Sequence, residues 1–193
     1  MQYFTRILKV RLPESCRNRA RSFARAVLPT VDYRDSNQFW QEKIRHDHLV
    51  SKLGEEAVCK VFGHLKKAVK GPDYTIYEGK HKSWEADLFV EGTPLAVKTQ
   101  TYRSAEAYGM SWTFQAAPQR RDPVLKDPHH WVCFVLLDET QHPSTAWVLP
   151  CFQIKALPFS DPVLAHLKGK KQVVYARDLP LESRRPVELL DYG

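Results

Sequence analysis

W-E-A-D-L-F-V-E-G-T-P-L-A-V-K-T-Q, residues 84–100, has the pattern of a β-hairpin. Large apolar and polar residues alternate as far as Val90, and the alternation resumes at Leu95 after an interruption at Glu91-Gly92. A strand pattern on each side of a short Gly-containing break is typical of two antiparallel strands joined by a tight turn. The stretch therefore predicts a two-stranded hairpin with a two-residue turn.

The polar residues of this hairpin gather on one side. The predicted register places Asp87 opposite Ala96, and directly opposed side chains share a side of the sheet, roughly 5 Å apart. Because side chains alternate along a strand, Lys98 and Gln100 share that side. Mg²⁺ needs only one or two protein carboxylates beside water and phosphate oxygens, and a nearby lysine can stabilise developing charge. The grouping suits metal-assisted phosphodiester hydrolysis, whereas the simpler alternative is a solvated polar face.

Asp87, then a hairpin, then Ala96-Val97-Lys98 with Gln100 after it, resembles the PD-(D/E)XK core of restriction-endonuclease-like nucleases. That family has an aspartate on one strand and an acid-X-lysine tripeptide on the next. The resemblance implies an α/β fold whose central mixed β-sheet is flanked by helices, and Mg²⁺-dependent hydrolysis of DNA, with Mn²⁺ as a substitute. It also implies that Asp87 and the Val97 carbonyl bind the metal, that Lys98 orients or activates water, and that Gln100 helps to position the site or the phosphate.

A glutamate on the helix before the hairpin often joins the site in this family. Apolar residues at period 3.6 predict a long helix through about residue 65, after an N-cap at Asp35-Ser36. L-G-E-E-A at residues 53–57 resembles the family's helix, and the resemblance as a whole covers about residues 44–137. Glu55 and Glu56 flank the apolar face on opposite sides, so periodicity leaves both as candidate metal ligands. The Gly-Glu pair favours Glu55.

Position 96 departs from the family pattern, because Ala96 stands where Glu or Asp is expected. Replacement by Glu would give E-V-K-T-Q, a full match. Three explanations are open. Another acid, with Glu55, Glu56 and Glu85 as candidates, supplies the ligand; the protein is a degenerate nuclease that binds DNA without cutting it; or the chain carries a deliberate inactivating Glu→Ala change of the kind made to trap a nuclease on its substrate.

The 193-residue chain is 43% hydrophobic and 26% charged, which is ordinary globular composition. We expect one nuclease-like domain over residues 1–193, with a core at about 44–149 and a basic strand-helix extension at 1–34. No apolar run approaches the ~20 residues that span a bilayer, and residues 1–6 lack the apolar core of a signal peptide. These features predict no membrane partner and a cytoplasmic location, for which phage or mobile-element origin is one setting.

A net charge of +7 favours a polyanionic partner, nucleic acid first and an anionic membrane second. Arg17, Arg21 and Arg25 recur every fourth residue of a predicted helix, as a stripe that follows phosphates or as a solvated face. Further basic residues after the hairpin are candidate DNA contacts: Arg103, Arg120, Arg121 and Lys126. Two cuts in a duplex need two active sites, so a homodimer is expected.

Other classes of chemistry lack their motifs. The chain has no Gly-rich phosphate loop, no dinucleotide fingerprint, no Gly-x-Ser-x-Gly and no Cys-x-x-Cys pair among its four cysteines. A Mg²⁺-dependent DNA endonuclease is the predicted function, and a catalytically dead nuclease-fold DNA-binding protein or regulator is the alternative. A basic protein that binds RNA or an acidic protein is a third hypothesis.

The remaining elements follow from apolar runs and turn residues. The most hydrophobic run, residues 131–137, predicts a buried central strand. Further strands are predicted at residues 1–12, 74–77, 145–149 and 172–175 and around Trp112 and Phe114. Helices are predicted from Pro13-Glu14 to residue 27, at 150–157 and at 183–190, and the segment from 101 to 130 is otherwise expected to be irregular.

Overall fold

Ten strands and three α-helices make up the computed structural model, which describes residues 1–30, 40–77 and 86–189. The helices are α1 (Glu14–Val27), α2 (Gln41–His64) and α3 (Tyr102–Tyr108). The strands are β1 (Leu8–Leu12), β2 (Val69–Lys70), β3 (Leu88–Val90), β4 (Thr93–Thr101), β5 (Ser111–Gln115), β6 (Trp131–Asp138), β7 (Ser144–Gln153), β8 (Phe159–Ser160), β9 (Lys171–Tyr175) and β10 (Val187–Glu188). Seven strands form one mixed sheet in the order β10-β1-β7-β6-β4-β3-β2, and β5-β9-β8 form a second sheet. The α/β class is confirmed.

The central strand is β6, as the apolar run at residues 131–137 predicts. It pairs in parallel with β4 and antiparallel with β7, and its residues from Val132 to Asp138 are all buried. Both faces of the large sheet are covered: one packs on α2, through residues such as Leu53 and Val97, and the other packs on the small sheet, through Phe134. A strand covered on both sides has no solvent face, which explains its unbroken apolar sequence.

The hairpin register agrees with the sequence. Val90 pairs with Thr93, and both turn residues have positive φ, 49° at Glu91 and 76° at Gly92. Positive φ at both central positions is the conformation of a two-residue turn that matches the twist of its strands. β3 begins at Leu88, directly after Asp87, and Trp84 and Glu85 lie outside the described residues.

α2 approaches β4 closely at Gly54. A Cβ atom at this position would lie 1.8 Å from Thr99 Oγ1 and 2.9 Å from Thr99 Cβ, so only glycine fits against the strand. The two residues after this glycine are Glu55 and Glu56. The contact therefore fixes how near the two glutamates come to the sheet.

The small sheet closes the second core. Trp112 stacks on Phe134 with ring centroids 4.6 Å apart, and Phe114 packs edge-on against Phe159 at 5.3 Å. The strand predicted around Trp112 and Phe114 is therefore confirmed as β5, which pairs with β9. Apolar residues on one face of β5 fill the space between the two sheets.

The N-terminal residues belong to the main sheet. We predicted a strand-helix extension at 1–34, but β1 pairs with both β7 and β10, and α1 packs on α2. From α2 onward, the chain runs through β2, β3, β4, α3 and β5 before it reaches β6 in the centre. No helix in the described ranges is both long and apolar enough to cross a bilayer.

Several local predictions are wrong. Residues 74–77 form no strand, and β2 lies earlier, at Val69–Lys70. Part of the segment expected to be irregular is α3, where Thr101 caps the helix by accepting a hydrogen bond from Ser104 N at 3.2 Å.

Two predicted helices are also wrong. Residues 150–153 continue β7, because pairing with β6 overrides local helix preference, and only a 3₁₀ turn, Ile154–Ala156, follows. The predicted terminal helix contains β10 instead. The N-cap at Asp35-Ser36 and residue 190 lie outside the described residues, and α2 begins at Gln41.

Candidate active site

The β3–β4 ladder opens at Asp87. Leu88 pairs with Leu95, and beyond this pair Asp87 Oδ2 accepts a hydrogen bond from Val97 N at 2.8 Å. The carboxylate thus takes the place that a backbone carbonyl of β3 would occupy in a continued ladder. Asp87 is exposed, so its carboxylate lies at an accessible opening between two strands, beside Ala96.

Lys98 is held by an acid that sequence reasoning missed. Its Nζ donates to Asp122 Oδ2 at 2.8 Å and lies 4.9 Å from the centroid of the Phe114 ring. The same Asp122 oxygen accepts a hydrogen bond from Gln115 N at 2.9 Å. The ammonium group is therefore fixed between the large sheet and β5.

Ala96 and Gln100 offer no open ligand atom. The Ala96 side chain is a methyl group packed against the core between the two sheets. The Gln100 amide accepts from Ser111 N at 2.8 Å and donates to the Gly109 carbonyl at 3.1 Å. Gln100 thus fixes the connection from α3 to β5, which is a structural task that sequence reasoning did not foresee.

Glu55 is buried on α2, at 2% exposure. Its carboxylate accepts from Lys52 Nζ at 2.6 Å and from Ser51 Oγ at 3.3 Å. Burial raises the pKa of Glu55 to about 7, against the lowering effect of Lys52 and with a further increase from the charge of Asp87. Because a neighbouring negative charge raises the pKa of a carboxyl group, the effect of Asp87 on Glu55 places the two carboxylates within electrostatic range of each other.

Glu56 faces a different set of neighbours. It accepts from Arg19 Nη2 at 2.7 Å, from Arg19 Nε at 3.1 Å and from Tyr74 Oη at 2.8 Å. Cys16 Sγ lies 3.5 Å from its other oxygen. These partners tie α1 and the segment after β2 to α2, so the structure gives Glu56 a structural role and leaves Glu55 as the helix acid beside Asp87.

The donor set meets the basic needs of a Mg²⁺ site. The oxygen donors near the hairpin opening are the carboxylates of Asp87 and Glu55, and this ion commonly uses one or two protein carboxylates with water in its remaining positions. Across residues 1–30, 40–77 and 86–189, no three His, Cys, Asp or Glu side chains converge as a ready metal cage. A metal here would therefore depend on water and on the phosphate oxygens of a substrate.

The arginine stripe of α1 is only partly available to a ligand. Arg17 is half-buried and donates to the Glu139 carbonyl at 2.7 Å and to Ser144 Oγ at 2.8 Å, so it ties α1 to the β6–β7 turn. Its predicted place in an exposed stripe is wrong. Arg21 and Arg25 are exposed, and Arg21 lies 3.6 Å from Glu14.

The other predicted basic contacts are all exposed. Arg103 is on α3 and lines a groove beside Lys98. Arg120 and Lys126 end the two 3₁₀ turns between β5 and β6, and Arg121 directly follows the first of these turns. Arg121 donates to the Leu125 carbonyl at 3.1 Å, which directs it partly onto the second turn.

Comparison with known protein families, curated proteins and solved structures finds no match. Residue geometry alone therefore bears on function. The structure brings Asp87 and Glu55 within electrostatic range of each other, whereas the contacts of Lys98 are with Asp122 and Phe114, on the side of β4 that faces the small sheet and not α2. It adds Lys52 and Asp122 as ion-pair partners, and no periodicity or motif in the sequence marks either residue.

Proposed function

We propose that this protein is a Mg²⁺-dependent DNA endonuclease that hydrolyses phosphodiester bonds on a restriction-endonuclease-like core. One observation carries the proposal: the exposed Asp87 carboxylate caps Val97 N at the opening of the hairpin, while the buried Glu55 carboxylate lies within electrostatic range. Acids from a helix and a strand, beside the strand that carries Lys98, are the residues that such a site needs.

The element order supports the same proposal. A helix precedes three strands, Asp87 directly precedes the second of them and Lys98 lies on the third, and β6, a buried strand parallel to the third, follows α3 and β5. The net charge of +7 favours a phosphate backbone as partner. A homodimer, which would supply two sites for two cuts, stays a prediction.

Each residue has a distinct task in the proposed reaction. Asp87 and Glu55 would hold Mg²⁺, whose chemical contribution when bound is Lewis-acid stabilisation of charge. Lys98 would stabilise charge on a phosphate oxygen or orient the attacking water, sharing its ammonium with Asp122. Because Ala96 contributes no oxygen, Glu55 takes the place of the missing strand acid.

The decisive experiment compares the chain as given with Ala96→Glu and Asp87→Asn. Each is incubated with duplex, branched and single-stranded DNA in Mg²⁺ or Mn²⁺, with EDTA as control. We expect the chain as given to cut slowly, Ala96→Glu to cut about tenfold faster or more by adding a ligand, and Asp87→Asn to be inactive. Failure of all three proteins to cut any DNA would exclude the nuclease function.

A second candidate function is DNA binding without cleavage. It is favoured by the methyl group at position 96 and by the ion pair that occupies Lys98. Under this alternative, only Ala96→Glu cuts DNA, while the chain as given binds DNA and leaves it intact. The same set of reactions therefore separates the two functions.

A further inference from the structure

A groove of about 730 Å³ extends from the end of β4 along one face of the small sheet. Its other walls come from the first half of α2, from α3 and from the chain before β9. Lys98 lies at this groove, so the groove adjoins the candidate active site. The groove lining includes basic side chains and large exposed apolar or aromatic ones, namely Lys43, Lys98, Arg103, Tyr108, Val163 and Leu164.

Cations outnumber acids near Lys98. Lys171 on β9 is the strand partner of Gln115 on β5. Gln115 N and Lys98 Nζ both donate hydrogen bonds to Asp122 Oδ2. Lys171 is half-buried, and its ammonium has no ion pair or hydrogen bond with any other part of the chain that the structure describes. Burial lowers the pKa of Lys171, and the charge of Lys98 lowers it further, against a smaller opposing effect of Asp122.

Two more basic residues act on the same point. Lys43 on α2 and Arg120 on its 3₁₀ turn lie close enough to Lys171 to lower its pKa as well. Four basic side chains from four separate elements therefore lie within electrostatic range of one another around Lys171, with Asp122 and the Lys43 partner Asp47 as the acids among them. Such an excess of positive charge around a half-buried ammonium favours an anionic group.

The remaining acids of the groove are already engaged. Asp47 pairs with Lys43 at 2.8 Å, and Glu139 lies 3.6 Å from His46 Nε2. Lys43, His46 and Asp47 are all on α2. Asp47 offsets the charge of Lys43, and Glu139 offsets that of His46 when His46 is protonated. The net positive charge therefore lies at the end of the groove next to β4, around Lys98.

Part of the groove lining is apolar and open to solvent. Val163 is 72% exposed, Tyr108 56% and Leu164 37%, and all three line the groove. Large apolar side chains that stay exposed in a concave surface commonly mark a binding site. A groove that combines exposed aromatic and apolar side chains with basic ones suits a ligand with flat rings and phosphates.

We propose that this groove binds single-stranded DNA, with bases against Tyr108, Val163 and Leu164 and phosphates at Lys98 and at Lys171, which lies just beyond the lining on the same face of β9 as the lining residues Val173 and Tyr175. The volume is in the range of about 300 to 1,000 Å³ found for small-ligand pockets, so it holds nucleotide-sized units. The inference deepens the proposed function, on which it rests for the role of Lys98, by naming a single strand as the substrate.

Fluorescence anisotropy in EDTA tests the inference with a labelled oligodeoxynucleotide, single-stranded or annealed to its complement. We expect the full chain to bind the single strand at least about tenfold more tightly than the duplex. Lys171→Ala should weaken single-strand binding about tenfold and reduce the slope of log affinity against log salt by about 0.7, the value for one phosphate contact on a single strand. Tyr108→Ala should weaken binding with little change in that slope.

Lys70→Ala is the matched control, because Lys70 is exposed on β2 and does not line the groove. It removes the same charge and should change single-strand affinity less than about twofold. Circular dichroism checks that each variant is folded, and Lys171→Gln replaces Lys171→Ala if the latter is not. Equal affinity for duplex and single strand, or no effect at Lys171, would overturn the inference.

Failure of this inference is distinguishable from failure of the proposed function, because EDTA separates binding from cleavage. A chain that prefers single strands and cuts nothing contradicts the nuclease function and keeps the groove assignment. A chain that cuts duplex DNA and binds single strands no more tightly contradicts the groove assignment only.

Discussion

Glu55 and Glu56 are consecutive, both are buried, and their surroundings differ in kind. Glu56 is surrounded by donors that hold separate parts of the chain together: Arg19 from α1, Tyr74 from the segment after β2, and the Cys16 thiol. These donors leave its carboxylate little capacity to bind anything else. Such a set of partners from distant segments marks an acid that stabilises the fold.

The partners of Glu55 are local. Lys52 and Ser51 both come from the preceding turn of α2, and the nearest long-range influence is another carboxylate, Asp87. A buried acid that repels a neighbouring acid gains from an added cation, whereas a saturated acid does not. The comparison teaches that the origin and sign of an acid's partners, more than its burial, distinguish a candidate ligand from a structural residue.

The largest expected effect separates the two acids by activity. Glu55→Gln should lower Mg²⁺-dependent DNA cleavage on the order of 100-fold or more, because it replaces a proposed metal-binding carboxylate with a neutral amide of similar shape. Glu56→Gln should lower cleavage less than about fivefold and should lower stability instead, because it breaks a hydrogen-bonded ion pair. Initial cleavage rates at saturating Mg²⁺ and urea unfolding of each variant measure the two effects, with Ala96→Glu as background if the chain as given cuts too slowly.

Equal losses of cleavage in the two variants would break the distinction. Normal cleavage by Glu55→Gln would also break it, because the metal ligand would then have to be an acid other than Glu55. Arg19→Ala is the control, because it removes the main partner of Glu56 without touching either carboxylate.

The second effect is on stability against pH. The pKa of Glu55 is about 7 in the folded chain and 4.5 in an unfolded reference, so the folded state holds a proton over this interval that the unfolded state releases. By linkage, Glu55 therefore lowers the free energy of unfolding as pH rises from about 5 to 8, by about 2 kcal/mol. Gln does not titrate, so Glu55→Gln does not lose stability in this way. Its free energy of unfolding, minus that of the chain as given, should therefore increase from about pH 5 to about pH 8.

Urea unfolding in EDTA at several pH values measures the difference between Glu55→Gln and the chain as given. Taking the difference cancels titration elsewhere in the protein. A pH-independent difference would mean that Glu55 stays ionised in the fold, held by Lys52, and would weaken the contrast with Glu56.

The fold was predictable where sequence pattern and burial coincide. The apolar run of β6, the hairpin register and the start of α1 all follow from residue patterns that tertiary structure leaves unchanged. The end of β7 was not predictable, because its pairing with β6 decides the conformation of residues 150–153. The short α3 depends on a cap by Thr101, which a prediction of irregular structure overlooks.

The candidate site was predictable only in part. Side-chain alternation gives Asp87 and Lys98 as neighbours in the hairpin, but the partner of Lys98 is Asp122, 24 residues away along an irregular segment. Periodicity could not choose between Glu55 and Glu56, because their roles depend on α1 and on Tyr74. Contacts between distant, non-repeating segments leave no pattern in a single sequence.

One sequence signal could have received more weight, namely Gly54, in the middle of α2. Isolated glycines destabilise helices and usually have a packing reason. Gly54 has one, because a Cβ there would meet Thr99 Oγ1, Cβ and Cγ2 at 1.8, 2.9 and 3.1 Å, so rotation of the threonine cannot relieve the clash. Gly54→Ala should therefore lower the free energy of unfolding by about 1.5 kcal/mol, a typical cost of overpacking, despite the better helix propensity of alanine.

Gly63 in the same helix is the matched control, since a Cβ there meets nothing within 4 Å. Gly63→Ala should leave stability unchanged or raise it by up to about 1 kcal/mol through helix propensity. Thr99→Ala in the Gly54→Ala background should restore part of the loss, because it removes two of the three clashing atoms. A Gly54→Ala protein as stable as Gly63→Ala would show that α2 can move away from β4, and Glu55 would then lose the fixed position that distinguishes it from Glu56.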